Sequence, residues 1–212
     1  MKSPKVKVCG LTDLNQIESL MALKIDYLGF IFYPKSPRYV LNHLSLEAIA
    51  GVSHQGKVGV FVNEIPQNIN DICRASKLNL IQLHGDESME TIKELRALLP
   101  DEVKIIKVIR VGKYLPSIHP YQNEWVDYLL FDTDSKDFGG TGKSFDWQLL
   151  NKITLQKPYV LSGGICEDNI HQAKALTPLP YALDINSKFE HEPGIKNLQK
   201  IEAFITQLNH KF

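Results

Sequence analysis

The stretch DYLLFDTDSKDFGGTGKSFDW, residues 127–147, decides how this chain is read. Tyr128 to Phe131 is a short apolar run. Asp132 ends it, polar residues follow, and then come Gly139, Gly140, Thr141 and Gly142. A strand that closes on a carboxylate and opens into a glycine-rich loop is how many α/β enzymes bring an acid within reach of a ligand. The bland alternative is a surface turn with solvated aspartates. The rest of the chain decides between them.

Outward from this stretch, short apolar runs alternate with segments of helical spacing. The runs predict strands at Lys5–Cys9, Tyr27–Phe32, Lys57–Val62, Asn79–His84, Lys104–Ile109, Tyr128–Asp132, Pro158–Ser162 and Tyr181–Ile185. Helices are expected over Asp13–Lys24, with Thr12 as N-cap, and over Ser45–Ala50, Pro66–Ser76 and Glu87–Leu98. A short one is expected within Val111–Glu124, limited by Pro116 and Pro120, and others over Asp146–Lys152, Glu167–Leu176 and Lys196–Asn209. Strict alternation calls for a parallel sheet, because each strand needs a crossover. Eight units fit a closed (β/α)8 TIM barrel, an α/β fold forming one domain over residues 1–212. The rival is an open, doubly wound sheet. Its nucleotide-binding form is disfavoured, because no G-x-G-x-x-G follows the first strand.

Composition narrows the partners. Lysine plus arginine is 24 and aspartate plus glutamate is 24, so the basic excess of a general nucleic-acid or anionic-membrane binder is missing. No apolar run reaches membrane-spanning length, and the opening MKSPKVKVCG reads without an apolar leader. Cys9, Cys73 and Cys166 are odd in number and form no C-x-x-C pair, which argues against a disulfide frame or a zinc site. The expectation is a cytoplasmic protein, monomer or homodimer, that binds a small molecule, with no nucleic-acid or membrane partner.

Strand parity then predicts a site. Barrel residues point alternately to the helices and to the lumen. With Val6 and Val8 outward, Lys7 and Cys9 point in. With Val58, Val60 and Val62 outward, Asn63 points in. Ile81 and Leu83 outward leave Gln82 and His84 inward. Leu129 and Phe131 outward leave Asp132 inward, and Leu183 and Ile185 do the same for Asp184. The fifth strand, with Lys104, Lys107 and Arg110, does not sort. Inward polar groups therefore gather at the carboxyl ends of separate strands, where such barrels keep their chemistry. A packing role would need each to be paired or wetted.

These residues form a known series: KVCGLT at 7–12, GFIF at 29–32, SPRYV at 36–40, IQLHG at 81–85, FDT at 131–133, GGTGKSFDW at 139–147 and LSGGI at 161–165. The set, in this order and across essentially the whole chain, resembles phosphoribosylanthranilate isomerase of the tryptophan pathway. The resemblance implies a (β/α)8 barrel and an Amadori rearrangement of N-(5-phosphoribosyl)anthranilate to 1-(2-carboxyphenylamino)-1-deoxyribulose 5-phosphate, with no metal and no organic cofactor. It further implies Cys9 as general base, Asp132 as general acid, Arg38 as a contact to the anthranilate part, and a phosphate against the loops after strands seven and eight.

Residue chemistry is compatible with those roles. Lys7 shares the parity of Cys9 and is expected to favour the thiolate, and a dry rim keeps Asp132 partly protonated. A buried structural thiol is the bland reading of Cys9. Gly163 and Gly164 fall at a strand-to-helix turn, where backbone N–H groups at a helix N-terminus can meet a phosphate. After strand eight the family pattern D-x-S-S-G-V-E is replaced by DINSKFE, residues 184–190. Asn186 stands for a serine and Lys188 for a glycine; the amide can still donate, and the lysine adds charge. Asp184, Asn186 and Ser187 are thus candidate substrate contacts, with Gly142, Gly163, Gly164 and Arg38. His84 is equally a substrate contact or a satisfied structural histidine. Cys73 is expected in the core, and Asp134 and Asp137 in solvent. A rival barrel enzyme, indole-3-glycerol-phosphate synthase, relies on lysine and glutamate catalysis and an extension before strand one, which the first strand near Lys5 does not accommodate. A barrel that has lost catalysis and serves as a binding partner is the non-enzyme alternative.

Overall fold

Eight parallel strands pair in chain order and close on themselves: β1 (Lys5–Val8), β2 (Tyr27–Ile31), β3 (Lys57–Phe61), β4 (Leu80–Leu83), β5 (Lys104–Val111), β6 (Tyr128–Thr133), β7 (Tyr159–Leu161) and β8 (Ala182–Ile185). The computed structural model describes residues 3–134 and 144–211. β8 pairs back to β1 with Lys7 opposite Asp184. Closure leaves no barrel edge to protect.

Two apolar layers follow from the two faces of the strands. The outer layer includes Val6, Val8, Phe30, Phe61, Leu83, Phe131 and Leu183, which pack with the helices. The lumen is filled by Val58, Leu80, Ile106, Val108, Leu130, Val160 and Ala182, with Tyr27, Tyr128 and Tyr181 packed against them. This plug occupies the amino-terminal half of the barrel, so a ligand can enter only from the carboxyl ends of the strands.

The α-helices are α1 (Leu14–Ala22), α2 (Leu46–Gly51), α3 (Pro66–Ser76), α4 (Met89–Leu98) and α5 (Leu198–Lys211). α1 is capped by Asp13, whose Oδ1 accepts from the Gln16 amide at 2.8 Å. The expected cap, Thr12, instead donates to the Gly194 carbonyl at 2.9 Å. That bond ties the loop after β1 to an unforeseen hairpin, β9 (Glu190–Glu192) and β10 (Ile195–Lys196). The connections after β5, β6 and β7 hold short 3-10 turns, His119–Tyr121, Trp147–Lys152 and Ile170–Ala175, in place of the expected helices. Prolines 116, 120 and 178 punctuate two of these segments and prevent long helical runs.

Parity holds for β1, β4, β6 and β8 and is reversed for β3. Val58 belongs to the lumen, while Phe61 joins the outer layer. Asn63 turns away with φ +51° and accepts the Asp86 amide at 2.7 Å. Valine suits either layer; the ring of Phe61 suits only the outer one, and that was the deciding signal. β5 also sorts. Lys107 points outward, where Glu87 holds its ammonium at 2.6 Å, and Ile106 and Val108 point inward. Among the described residues no helix is long and apolar enough to cross a membrane.

Candidate active site

The carboxyl ends of the strands surround a cleft of about 740 Å³, counting its open mouth, lined by Cys9, Arg38, Gln82, His84, Asp132, Ser162, Gly163, Gly164, Asp184, Asn186, Ser187 and Lys188, among others. A concave site at the carboxyl-end rim of the barrel suits a small-molecule ligand. Of the residues expected from sequence, the structure brings Cys9, Arg38, His84, Asp132, Gly163, Gly164, Asp184, Asn186 and Ser187 to this one place. Gly142 and Asp137 lie outside the described residues.

Cys9 follows β1 and is 5% exposed. The backbone of β2 comes so close that a Cβ on Gly29 would lie 2.9 Å from its sulfur. Burial pushes the thiol pKa up; Lys7 pulls it down, but less strongly. The expected thiolate-favouring effect of Lys7 therefore exists and is outweighed. The reason is visible in its partner: Lys7 Nζ lies 3.0 Å from both oxygens of Asp184. The lysine charge is largely committed to that carboxylate. Asp184 is thus placed on the cleft as the anchor of Lys7.

Asp132 enters from β6. Its Oδ1 accepts from the Thr133 amide at 2.8 Å, and its Oδ2 lies 3.5 Å from His84 Nε2. Burial raises its pKa, while the Thr133 amide and the Ser162 side chain work in the opposite direction. A carboxyl with raised affinity for its proton is what a general acid needs. His84 is held down to about 4, by burial first and then by Lys7, so it is a neutral imidazole at neutral pH.

Arg38, on the loop after Pro37, is buried. It is 8% exposed. Its Nε lies 3.0 Å from both oxygens of Glu190, and its Nη2 donates to Oε2 at 2.7 Å. Lys196 Nζ meets the same carboxylate at 2.6 Å and Asn186 Oδ1 at 2.8 Å. Asn186 thereby spends its acceptor on Lys196 and keeps its amide N–H groups as donors. Gly163 and Gly164 adopt φ +86° and +70°, a region open to glycine. The helix N-terminus expected behind them is absent, because the next element is the 3-10 turn at Ile170–Ala175. Any anion there meets glycine amides and not a helix dipole.

Sequence reasoning missed Ser162, Glu190 and Lys196. Ser162 follows outward Leu161 and had a parity signal. Glu190 had only its match to the last residue of the pattern after strand eight, and Lys196 had none, since the hairpin that carries them was unforeseen. Cys73 is buried in the core, Cys166 is half-buried after Gly164, and Asp134 is exposed. Among the described residues no group of three or more His, Cys, Asp or Glu could hold a metal ion.

Comparison with known proteins adds the family. Residues 6–207 match a family model described as N-(5'phosphoribosyl)anthranilate (PRA) isomerase. A relative from Parabacteroides distasonis bearing that enzyme name is 36% identical over 209 residues, covering 97% of this chain and 93% of its own. The crystal structure of the Thermotoga maritima phosphoribosyl anthranilate isomerase superposes with a TM-score of 0.81 at 32% identity, over 98% of this chain and 99% of that one. A further structure of such an enzyme, in complex with reduced 1-(o-carboxyphenylamino)-1-deoxyribulose 5-phosphate, matches with a TM-score of 0.73 at 29% identity over 98% and 99%.

Proposed function

Because this chain belongs to the N-(5'-phosphoribosyl)anthranilate isomerase family, we propose that the cleft between Cys9 and Asp132 is where it performs the family reaction. The enzyme converts N-(5-phosphoribosyl)anthranilate to 1-(2-carboxyphenylamino)-1-deoxyribulose 5-phosphate in tryptophan biosynthesis. Asp132 protonates the furanose ring oxygen, and the ring opens to a protonated Schiff base. Cys9 then removes the proton from sugar C2, giving an enolamine that tautomerises to the ketose.

The observation that carries this reading is that Cys9 from the β1 end and Asp132 from β6 line one cleft, where burial raises the proton affinity of both. Asp132 is thereby suited to donate. Cys9 would be a poor base in the resting enzyme, but ring opening places a cationic nitrogen on C1, the carbon bonded to C2. That charge acidifies the C2 proton and favours a thiolate beside it. The enzyme thus has no need of a standing thiolate.

The remaining contacts are assigned by charge. The anthranilate carboxylate pairs with Arg38, whose Nε and Nη2 are taken by Glu190, leaving Nη1 for the ligand. The phosphate sits against the amides of Gly163 and Gly164, the side chains of Asn186 and Ser187, and Lys188. His84 stands behind Asp132. Turnover, followed as loss of phosphoribosylanthranilate fluorescence, tests the assignment. Cys9→Ala and Asp132→Asn should each lower kcat about 100- to 10,000-fold with the fold retained, and Arg38→Ala should act mainly on KM. Near-wild-type turnover by purified Asp132→Asn would refute the acid.

A further inference from the structure

His84 has two ring nitrogens and, being neutral, one proton between them. Its Nδ1 lies 3.2 Å from Nε2 of Gln82, and its Nε2 lies 3.5 Å from Oδ2 of Asp132. An amide NH2 group can only donate. With the Gln82 amide in this orientation, Nδ1 is the bare nitrogen and the imidazole hydrogen sits on Nε2, on the side of the carboxyl. The 3.5 Å contact is longer than a full hydrogen bond, as catalytic pairs often are before a ligand arrives.

Gln82 lies two residues before His84 on the same inward side of β4. It is 1% exposed, and its Oε1 is buried with no hydrogen-bond partner. Leaving a buried acceptor unpaired is costly. Turning the amide over would satisfy Oε1 against Nδ1–H but would bury two amide hydrogens in its place, and orphaned donors are the rarer, less tolerated kind. As it stands the amide leaves its acceptor and one hydrogen unpaired; turned over it would leave two hydrogens, so the orientation with fewer orphaned donors is also the one that puts the ring hydrogen on Nε2, on the side of Asp132.

We propose that Gln82 is a positioning residue that fixes the tautomer of His84 and, through it, supports the carboxylate that Asp132 becomes. The proposal rests on the reading of Asp132 as the acid. When Asp132 gives its proton to the ring oxygen, negative charge grows on its oxygens, and Nε2–H is placed to receive it. The other tautomer would turn a lone pair toward that charge.

The Thr133 amide and the Ser162 side chain also support the carboxylate, but among the described residues the cations near the pair are engaged elsewhere. The charged or titratable side chains on the lumen side of the pair are Lys7 and Cys9 on the β1 side, Arg110 on β5 and Asp184 on β8, while Glu87 and Lys107 act on His84 from behind the strands. Lys7 is held by Asp184, Lys107 by Glu87 and Arg110 by Asp86.

The test needs the wild-type protein and one variant of matched length, Gln82→Met. Nitrogen-15 NMR of the wild-type His84 ring should show a bare Nδ1 and a protonated Nε2. In Gln82→Met the ring should become a mixture of tautomers. Its kcat should fall about tenfold, the worth of one hydrogen bond to a charged acceptor, at unchanged KM. The low-pH limb of kcat/KM, set by Asp132, should move to higher pH, because the carboxylate has lost a donor. A residue that merely packs would lower stability and leave the tautomer and the limb in place. A wild-type ring protonated on Nδ1, or a Gln82→Met enzyme with wild-type tautomer and limb, would overturn the proposal. Asp132→Asn turnover tells the two failures apart: full activity there would remove the acid, while the NMR tautomer would still report whether Gln82 sets His84.

Discussion

The Cys9 thiol is lifted above its ordinary pKa by burial, and Asp132 is lifted from the carboxylate range for the same reason. The reactive combination, thiolate with carboxylic acid, is therefore a minor protonation form of the free enzyme. Its fraction is constant between the two pKa values and falls outside them. The kcat/KM profile should thus be a broad bell whose low-pH limb follows Asp132 and whose high-pH limb follows Cys9. In the residual activity of Asp132→Asn the low-pH limb should vanish, leaving activity that rises until Cys9 has titrated. A low-pH limb unchanged in that variant would remove Asp132 from the profile. Both residues were legible in the sequence, because each follows a strand residue that must face the helices. The net state of the thiol was not. It depends on how much of the Lys7 charge Asp184 absorbs, and that pairing spans 177 positions.

At the scale of elements, the segment from β8 through the hairpin to α5 builds one side of the cleft. Glu190 is its anchor, taking Arg38, Lys196 and the Gly194 amide on one carboxylate. Burial alone would raise the Glu190 pKa, but Arg38 and Lys196 outweigh it and hold the group below the usual glutamate value. A depressed carboxylate gives stability that is fully present above the unfolded pKa, about 4.3, and is lost as pH falls through the folded value. Glu190→Gln should lose about 3–5 kcal/mol at neutral pH, because two buried cations lose their counter-charge. It should also show a shallower fall in stability below about pH 4. Urea unfolding at two pH values checks both. The sequence pattern located Arg38 but not its holder, since Glu190 is 152 positions away on a hairpin of two short strands. The third strand misled for a related reason: three valines fit either face, and only Phe61 and Gly59 between them fix the register.

For the whole molecule, alternation was enough to read a parallel sheet, and eight units fitted a closed barrel; the open doubly wound rival is excluded by the pairing of β8 with β1. Where the described parts of the crossovers after β5, β6 and β7 hold 3-10 turns instead of α-helices, the barrel still closes, since the strands and the lumen plug carry it. We propose that residues 1–212 form one folding unit, because β1 and β8 join the two ends of the chain. Closure also does the functional work. It carries Cys9 and Asp132, 123 positions apart in the chain (132 − 9), to the rim of one cleft. The most direct measurement is a crystal structure with the reduced product analogue bound. Carbons C1 and C2 of the sugar chain should lie between the Cys9 sulfur and the Asp132 carboxyl, with reacting atoms about 3–3.5 Å from each. An analogue seated in the cleft with C2 out of reach of Cys9, or bound elsewhere on the molecule, would contradict it.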